Sequence, residues 1–318
     1  MVVTDANAMR EPRVAADHPV VRLTDVQSDA APVVFIHGLL ETPSIWTFLV
    51  SLLEQHQIPA IALPLPGHFP WAIGPDQVET LLQDDHLFAQ YADMIRQCYP
   101  GRAVRLVGHS TGGMIALEIA RLYPDLVQAV MPIGALWSGR LDNQQSLLAR
   151  ITLNPWIGPW SFRKMMEWWH WDEAWFQAGL KTVVGSPEVP VVDIPLQMLA
   201  DLRQSNYDTM RRLAEWVASQ DVLARLDQVC APVCVVIGNK DAVVPPLHQL
   251  QIVKALPNAT AVILDSGHLP MIEARALFEK SFIVWVLQPD PYLPVQQVTA
   301  GKSIAGLVED LSAHRFDA

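Results

Sequence analysis

The chain has few cysteines for its length, and this scarcity excludes a disulfide framework. Cys98, Cys230 and Cys234 are the only three in 318 residues, whereas disulfide-dense domains are short and pair their cysteines. Cys230 and Cys234 could in principle bind a metal. However, Cys234 lies in an apolar, strand-like run with no His or Cys cluster nearby, which favours buried structural cysteine. We therefore expect no metal site and a reducing, cytoplasmic compartment.

The chain also has few charged residues and no long apolar run. Charged residues make up 17% of the chain, the net charge is −11, and the 22 Lys and Arg residues form no run. A nucleic acid would be repelled by such a surface. No stretch reaches the roughly 18 consecutive apolar residues that a membrane span needs, and residues 1–20 lack the apolar core of a secretory signal. We expect no nucleic-acid partner and no integral membrane segment.

Apolar residues, in contrast, are abundant and follow an alternating pattern. They make up 51% of the chain, enough for a large buried interior. Short apolar runs typical of buried strands, such as 31–38 and 103–108, alternate with stretches of helical spacing, and the same rhythm resumes near residue 225. Such alternation predicts an α/β fold with a mostly parallel, doubly wound sheet.

The rhythm breaks between about residues 136 and 225, a segment that holds eight of the eleven tryptophans. We expect a core at 1–135 and 225–290, a helical lid at 136–224 and a C-terminal extension at 291–318. Most of the tryptophans would pack the lid onto the core. Tryptophans also line ligand pockets, and we expect one to three of the following to contact a substrate: Trp137, Trp156, Trp160, Trp168 and Trp169.

The segment GHSTGG at 108–113 carries the strongest chemical signal. Ser110 lies in a G-x-S-x-G pattern with a predicted strand before it and a predicted helix after it, the context in which such a serine is a nucleophile. The glycines allow a sharp turn that presents the hydroxyl at the end of the sheet. The alternative is the glycine-rich turn of a dinucleotide-binding fold, but the segment lacks the G-x-G-x-x-G spacing. We therefore expect no cofactor.

A serine nucleophile needs a base, and the base needs an orienting acid. His268 follows the last predicted strand, which places it at the same sheet edge as Ser110; the alternative is a histidine on a surface loop. Asp241 lies in the loop after the preceding strand. Asp265 is a rival acid, but it would have to fold back onto its own loop. The order Ser110, Asp241, His268 is the order given for α/β hydrolases.

The negative charge that develops on a substrate oxygen requires a pair of backbone donors. The N–H groups of Thr111 and of Leu39, in HGLLE at 37–41, are the candidates. His37 is expected to brace that loop rather than to act in catalysis. Five side chains are candidates for the substrate pocket: His109, Trp137, Trp156, Trp160 and Leu269.

Four motifs together resemble the α/β-hydrolase superfamily: HG at 37–38, GHSTGG at 108–113, GNKDAVVP at 238–245 and GHLP at 267–270. The resemblance covers about 31–135 and 225–288. It implies an eight-stranded sheet, a lid inserted after the sixth strand, and chemistry like that of esterases, lipases and C–C hydrolases rather than of members with an aspartate nucleophile. Only about a dozen usable residues precede the HG strand, so the first strand is expected to be missing or displaced.

We therefore predict a serine hydrolase that cleaves small carboxylic esters with an apolar acyl or alcohol group. The reaction would pass through an acyl-enzyme. A thioesterase, an acyltransferase or a C–C bond hydrolase would use the same three residues. A ligand receptor on the same fold is a further alternative. The oligomeric state stays open.

Overall fold

A single sheet of eight strands, in the order β1-β2-β4-β3-β5-β6-β7-β8, organises the chain. The computed structural model describes residues 13–14, 19–140, 157–185 and 195–287. The strands are β1 (Arg13–Val14), β2 (Val21–Arg22), β3 (Val33–Ile36), β4 (Ala60–Leu63), β5 (Val104–His109), β6 (Val127–Ile133), β7 (Val233–Gly238) and β8 (Ala259–Leu264). All neighbouring pairs from β4 to β8 are parallel.

Helices cover both faces of the sheet. They are α1 (Val50–Gln55), α2 (Pro75–Leu81), α3 (His86–Cys98), α4 (Thr111–Leu122), α5 (Gly158–Trp169), α6 (Glu173–Leu180), α7 (Leu196–Arg203), α8 (Tyr207–Ser219), α9 (Pro246–Ala255), α10 (Pro270–Glu273) and α11 (Arg275–Leu287). Within the described ranges, short 3-10 helices occupy Pro43–Leu49, Pro124–Leu126 and Leu223–Gln228.

The central strands are buried on both faces, because each face carries its own apolar core. In β3, Val34 belongs to the core that includes Met114 of α4, whereas Phe35 belongs to the core that includes Phe282 of α11. Side chains of a strand alternate between the faces, so a continuous apolar run is what a doubly covered strand requires. The predicted α/β class with a doubly wound, mostly parallel sheet is confirmed.

One sequence-based expectation about this sheet is wrong. The first strand is neither missing nor displaced: β1 pairs antiparallel with β2, which pairs antiparallel with β4. Two residues per strand are enough for this pairing, so the few residues before β3 suffice.

The segment between β4 and β5 forms two helices, α2 and α3. Asp84, between them, has a φ of 47°, which an α-helix cannot include.

Helices α5 to α8 lie between β6 and β7. Phe162 and Met166 of α5 and Phe176 of α6 are buried in the same core as Phe35. Asp201 of α7 accepts hydrogen bonds from Thr42, at 3.1 Å, and from Ser44. These contacts join the helices to the loop after β3. Within the described residues, no helix is long and apolar enough to cross a membrane. The C-terminal extension expected at 291–318 and Trp156 lie outside the described residues.

Candidate active site

Ser110 occupies the sharp turn between β5 and α4. Its φ of 51° and ψ of −115° are strained for a residue with a side chain. The strain is held by packing, since a Cβ at Gly112 would lie 2.3 Å from the Ile36 carbonyl oxygen and one at Gly108 would lie 2.2 Å from that of Gly112. The Ser110 N–H is also held by the Ile133 carbonyl, at 2.8 Å. This is the strand–turn–helix context that the sequence pattern requires.

His268 and Asp241 are in direct contact at the same edge of the sheet. The Nδ1 of His268 lies 2.8 Å from Oδ2 of Asp241, and both residues are buried. Oδ1 of Asp241 accepts hydrogen bonds from the backbone N–H groups of Val243 and Val244, and Oδ2 also accepts one from Gln249 Nε2 at 2.9 Å. Four donors thus hold this carboxylate, and it fixes the orientation of the His268 ring. Gln249 was not anticipated from the sequence.

The rival acid, Asp265, faces away from this contact. Its side chain is 70% exposed and lies 2.8 Å from Lys240 Nζ. The hydrogen bond from Lys240 lowers the pKa of its carboxyl group. Asp265 is therefore part of a surface ion pair, and Asp241 is the acid that contacts His268.

The loop that carries His268 is held by Glu273, another residue that the sequence analysis missed. The Glu273 carboxylate accepts N–H hydrogen bonds from Gly185, Gly267 and Leu269, at 2.7, 2.8 and 3.1 Å. The His268 N–H donates to the Val183 carbonyl at 2.9 Å. The signal available in the sequence was an acidic residue five positions after His268, in a mostly apolar stretch.

The backbone donors expected near the nucleophile are unoccupied within the described part of the chain. The Thr111 N–H begins α4, where a helix leaves its first N–H groups without partners. The N–H groups of Gly38, Leu40 and Glu41 bind Glu41 Oε2, His68 Nε2 and the Gly38 carbonyl. The N–H of Leu39 has no such partner among the described residues. The loop after β3 thus leaves one donor unused.

His37 has the hydrogen bonds of a brace. Its Nδ1 donates to the Gly38 carbonyl at 2.8 Å and its Nε2 accepts from the Leu65 N–H at 3.0 Å. Burial lowers the pKa of His37 to about 4; burial, together with repulsion from His37 when that ring is protonated, lowers the pKa of His68 to about 3. Both rings are neutral at pH 7 and hold the loops after β3 and β4.

These two buried rings predict that the protein loses stability in mild acid. The pKa of such a histidine is lower in the folded protein than in the unfolded chain, where it is about 6.5. Its contribution to the free energy of unfolding is fully present above pH 6.5 and is lost as the pH falls towards the folded pKa. Each ring costs up to about 1.4 kcal/mol per pH unit in that window. Urea unfolding at pH 7 and pH 5 should show a lower free energy of unfolding at pH 5. In His68→Gln, which removes one titrating ring, the difference should shrink; an equal difference would contradict this origin.

A buried pair beside Ser110 was not anticipated. His109 Nδ1 lies 2.8 Å from Glu41 Oε1, as a close ion pair rather than an aligned hydrogen bond. His109 Nε2 lies 2.8 Å from the His268 carbonyl oxygen. The signal available in the sequence was the acidic residue Glu41 in the mostly apolar segment after β3, since acidic residues are rarely buried without a partner.

A cavity of about 530 Å³ joins these residues. Ser110, Thr111, Leu39 and His268 border it, and most of the remaining lining is apolar. This volume is in the range of small-molecule sites. The segment between β6 and β7 contributes part of the lining: Met165, Trp169, Leu180, Val183 and Val217.

The candidate pocket residues divide into two groups. His109 and Leu269 border the cavity. Trp160 does not, which corrects the expectation from sequence: its side chain is 69% exposed on the outer face of α5. Trp137 is also away from the lining, because its ring stacks on His248 at 4.5 Å. Among the described tryptophans, Trp169 is the one that borders the cavity, and the exposed Trp168 packs on Trp175.

No cluster of three His, Cys, Asp or Glu side chains that could hold a metal occurs in the described ranges. Cys234 is buried in β7, where desolvation raises the pKa of its thiol to about 11. Cys230 is exposed.

Comparison with known proteins gives relatives of low identity but similar architecture. A proposed carbamate hydrolase, RutD, of Stutzerimonas stutzeri (strain A1501) is 24% identical over 54% of this chain, which spans 59% of that relative's length. Among solved structures, an enol-lactonase of Burkholderia xenovorans LB400 is 17% identical with a TM-score of 0.64, covering 82% of this chain and 93% of its own. An esterase of Exiguobacterium antarcticum is 17% identical with a TM-score of 0.63, and the match covers 85% of this chain and 96% of the esterase. At these identities the structures show the shared fold alone.

The family model described as the alpha/beta hydrolase family matches residues 33–280. The match runs from β3, through the serine turn, the helices after β6 and the Asp241–His268 contact, into α11. It spans most of the chain and confirms the resemblance seen in the sequence motifs. The chain belongs to the alpha/beta hydrolase family.

Proposed function

We propose that the protein is a serine hydrolase that cleaves carboxylic esters carrying an apolar acyl or alcohol group. The observation that carries this proposal is the 2.8 Å contact between His268 Nδ1 and Asp241 Oδ2, at a cavity that Ser110 also borders. A serine hydroxyl is a weak nucleophile alone, but a histidine held in the correct tautomer by a carboxylate can remove its proton.

The proposed reaction has two halves. Ser110 Oγ attacks the ester carbonyl carbon while His268 Nε2 takes the hydroxyl proton. His268 then gives that proton to the departing alcohol, and an acyl-enzyme remains. In the second half, His268 takes a proton from water, the hydroxide attacks the acyl carbon, and the proton returns to Ser110 as the acid leaves. Asp241 keeps the Nδ1 proton on the imidazole throughout.

The negative oxygen of each tetrahedral intermediate would be bound by the N–H groups of Leu39 and Thr111. Their lack of other partners in the described chain supports this role. Donors that already point at the site cost no reorganisation when charge develops, and each contributes about 3 kcal/mol in comparable sites.

The lining of the cavity favours an uncharged, apolar substrate. Leu136, Val217, Val243 and Trp169 offer no compensation for a charged group, whose desolvation is costly. Glu41, the acid at the border of the cavity, is already paired with His109. A substrate that carries a carboxylate near the scissile bond would therefore be disfavoured. The helices between β6 and β7 are proposed to act as the lid over this pocket.

Labelling with a fluorophosphonate tests the proposal directly, because this probe forms a covalent bond with an activated serine. We expect stoichiometric labelling of the wild-type protein and none of Ser110→Ala. Peptide mapping should place the adduct on Ser110. A wild-type protein that stays unlabelled, or an adduct that persists in Ser110→Ala, would contradict the proposal.

A matched substrate series separates ester cleavage from related chemistry on the same three residues. A p-nitrophenyl ester, a thioester and a carbamate ester with the same apolar group should show the highest kcat/KM for the ester. The carbamate is included because RutD, the relative from Stutzerimonas stutzeri, is named for that activity. Preference for the thioester or the carbamate would replace the proposed substrate class. Labelling without turnover of any of the three would favour a receptor.

A further inference from the structure

The His109 ring lies between two groups that can only accept hydrogen bonds. Its Nδ1 faces a Glu41 carboxylate oxygen and its Nε2 faces the His268 carbonyl oxygen, each at 2.8 Å. A neutral imidazole has one N–H, so it can donate to only one of them. Both contacts are favourable when the ring carries two protons and Glu41 is ionised: the Glu41 contact is then an ion pair, and the Nε2–H donates to the His268 carbonyl.

The surroundings support this charge assignment. Burial opposes ionisation of both groups, but their mutual attraction outweighs it: the pKa of Glu41 falls to about 2 and the pKa of His109 is raised. The His268 carbonyl and the charge of Asp241 act on His109 in the same direction. The nearby His37 is kept neutral by burial, which lowers its pKa to about 4. The pair is therefore an ion pair at neutral pH.

A buried ion pair is a costly way to stabilise a fold. The desolvation of two charges consumes most of their attraction, so such pairs add little net stability. The position of this pair gives it another use. Glu41 Oε2 also accepts the Gly38 N–H at 2.7 Å, immediately before Leu39. The His109 ring is adjacent to Ser110 and binds the backbone of His268.

The backbone packs closely around the pair. A Cβ at Gly38 would lie 2.9 Å from His109 Nδ1 and 3.1 Å from Glu41 Oε2. A Cβ at Gly134 would lie 3.3 Å from the His268 carbonyl oxygen and 3.4 Å from His109 Nε2. The loop after β3, the serine turn and the loop after β8 therefore meet at this one pair of side chains.

We propose that Glu41 is a positioning residue for the reaction: through the Gly38 N–H and the His109 ring, it holds the Leu39 N–H and the His268 loop in register with Ser110. This inference rests on the proposed function of Ser110, Asp241 and His268. Glu41 itself does not exchange a proton with the substrate. It keeps two catalytic loops at fixed distances from the nucleophile, and displacements of about 1 Å in such sites can cost about 100-fold in rate.

The comparison of two substitutions tests the proposal. Glu41→Ala removes both contacts, so kcat for the p-nitrophenyl ester should fall about 10- to 100-fold, while KM, set by the apolar pocket, stays nearly constant. Glu41→Gln can still accept from Gly38 and can donate to a neutral His109, so it should recover most of the lost kcat. Should Glu41→Ala fail to fold, His109→Gln tests the same contact, since it keeps a donor for the His268 carbonyl and loses the one to Glu41.

Glu118 provides a matched control. It is a buried carboxylate on α4, paired with Arg121 at 2.9 Å and Arg225 at 3.2 Å, and it does not border the cavity. Glu118→Ala should lower the melting temperature. At assay temperatures below that melting temperature, its kcat should equal that of the wild type. An unchanged kcat in Glu41→Ala, an equal loss in Glu41→Gln, or an equal loss in Glu118→Ala would each overturn the positioning role.

Nitrogen-15 NMR of the histidine rings gives a readout that needs no substrate. In the wild-type protein at pH 7.5, both nitrogens of His109 should carry a proton, with the signals assigned by their loss in His109→Gln. In Glu41→Gln one of the two protons should be lost. A single ring proton in the wild type would overturn the contact. A wild-type protein inert to both the ester and the fluorophosphonate would instead count against the proposed function, and the ring protons would still test the pair.

Discussion

Ser110→Ala should reduce kcat/KM for an apolar p-nitrophenyl ester by at least about 10⁴-fold, because no other group can form the acyl-enzyme. In serine hydrolases of known mechanism, loss of the nucleophile costs about 10⁶ in kcat, and the residual rate comes from binding and the oxyanion donors. Initial rates over a range of ester concentrations measure the effect. The melting temperature should change little, because Ser110→Ala removes only one oxygen atom and leaves the packing around the turn as it is.

Ser266→Ala is a suitable control for this measurement. Ser266 is also a buried serine, in the loop that carries His268, and its hydroxyl has no hydrogen-bond partner among the described residues. Its replacement should leave kcat/KM within about twofold, because it breaks no hydrogen bond among the described residues. If Ser110→Ala kept more than a tenth of the wild-type rate, the hydrolysis would have to proceed without an acyl-serine.

Asp241→Asn should lower kcat by about 10⁴-fold with the fold intact. Oδ1 accepts two backbone N–H groups, so the asparagine carbonyl oxygen would take that place and its NH2 would face His268 Nδ1 and Gln249 Nε2. His268 would then carry its proton on Nε2, the tautomer that cannot accept the serine proton. The equivalent change in a serine protease costs about 10⁴. Steady-state kinetics at pH 7 to 8 measures the loss.

Asp265→Asn is the paired control, because it changes the rival carboxylate near the same histidine. Asp265 contacts Lys240 at the surface, and exposed ion pairs contribute at most about 1 kcal/mol. Its kcat should match that of the wild type. An Asp265→Asn variant that loses more activity than Asp241→Asn would reverse the assignment of the acid.

The sheet and the main chemical groups were predictable from the sequence because both depend on local patterns. A buried strand such as β5 is readable as an apolar run, and the glycines around Ser110 identify the turn. Asp241 and His268 each follow a parallel strand, and the carboxyl ends of such strands meet at one edge. The order and spacing of these segments were therefore enough to predict that the three residues lie at one edge of the sheet.

Features that depend on contacts between distant segments were not predictable in this way. Glu41 and His109 are far apart in the chain, and no spacing rule relates the loop after β3 to the turn after β5. The same applies to Glu273 and Gln249, whose partners are set by the folding of loops. Trp160 shows the complementary error: the residue type suits a pocket, but the face of α5 that points inward is set by packing.

The backbone bonds between the His268 loop and residues 183–185 have a mechanical consequence. The Val183 carbonyl binds the His268 N–H, and Gly185 shares the Glu273 carboxylate with Gly267. Any displacement of residues 183–185 would therefore be transmitted through these hydrogen bonds to the backbone of His268, the proposed general base.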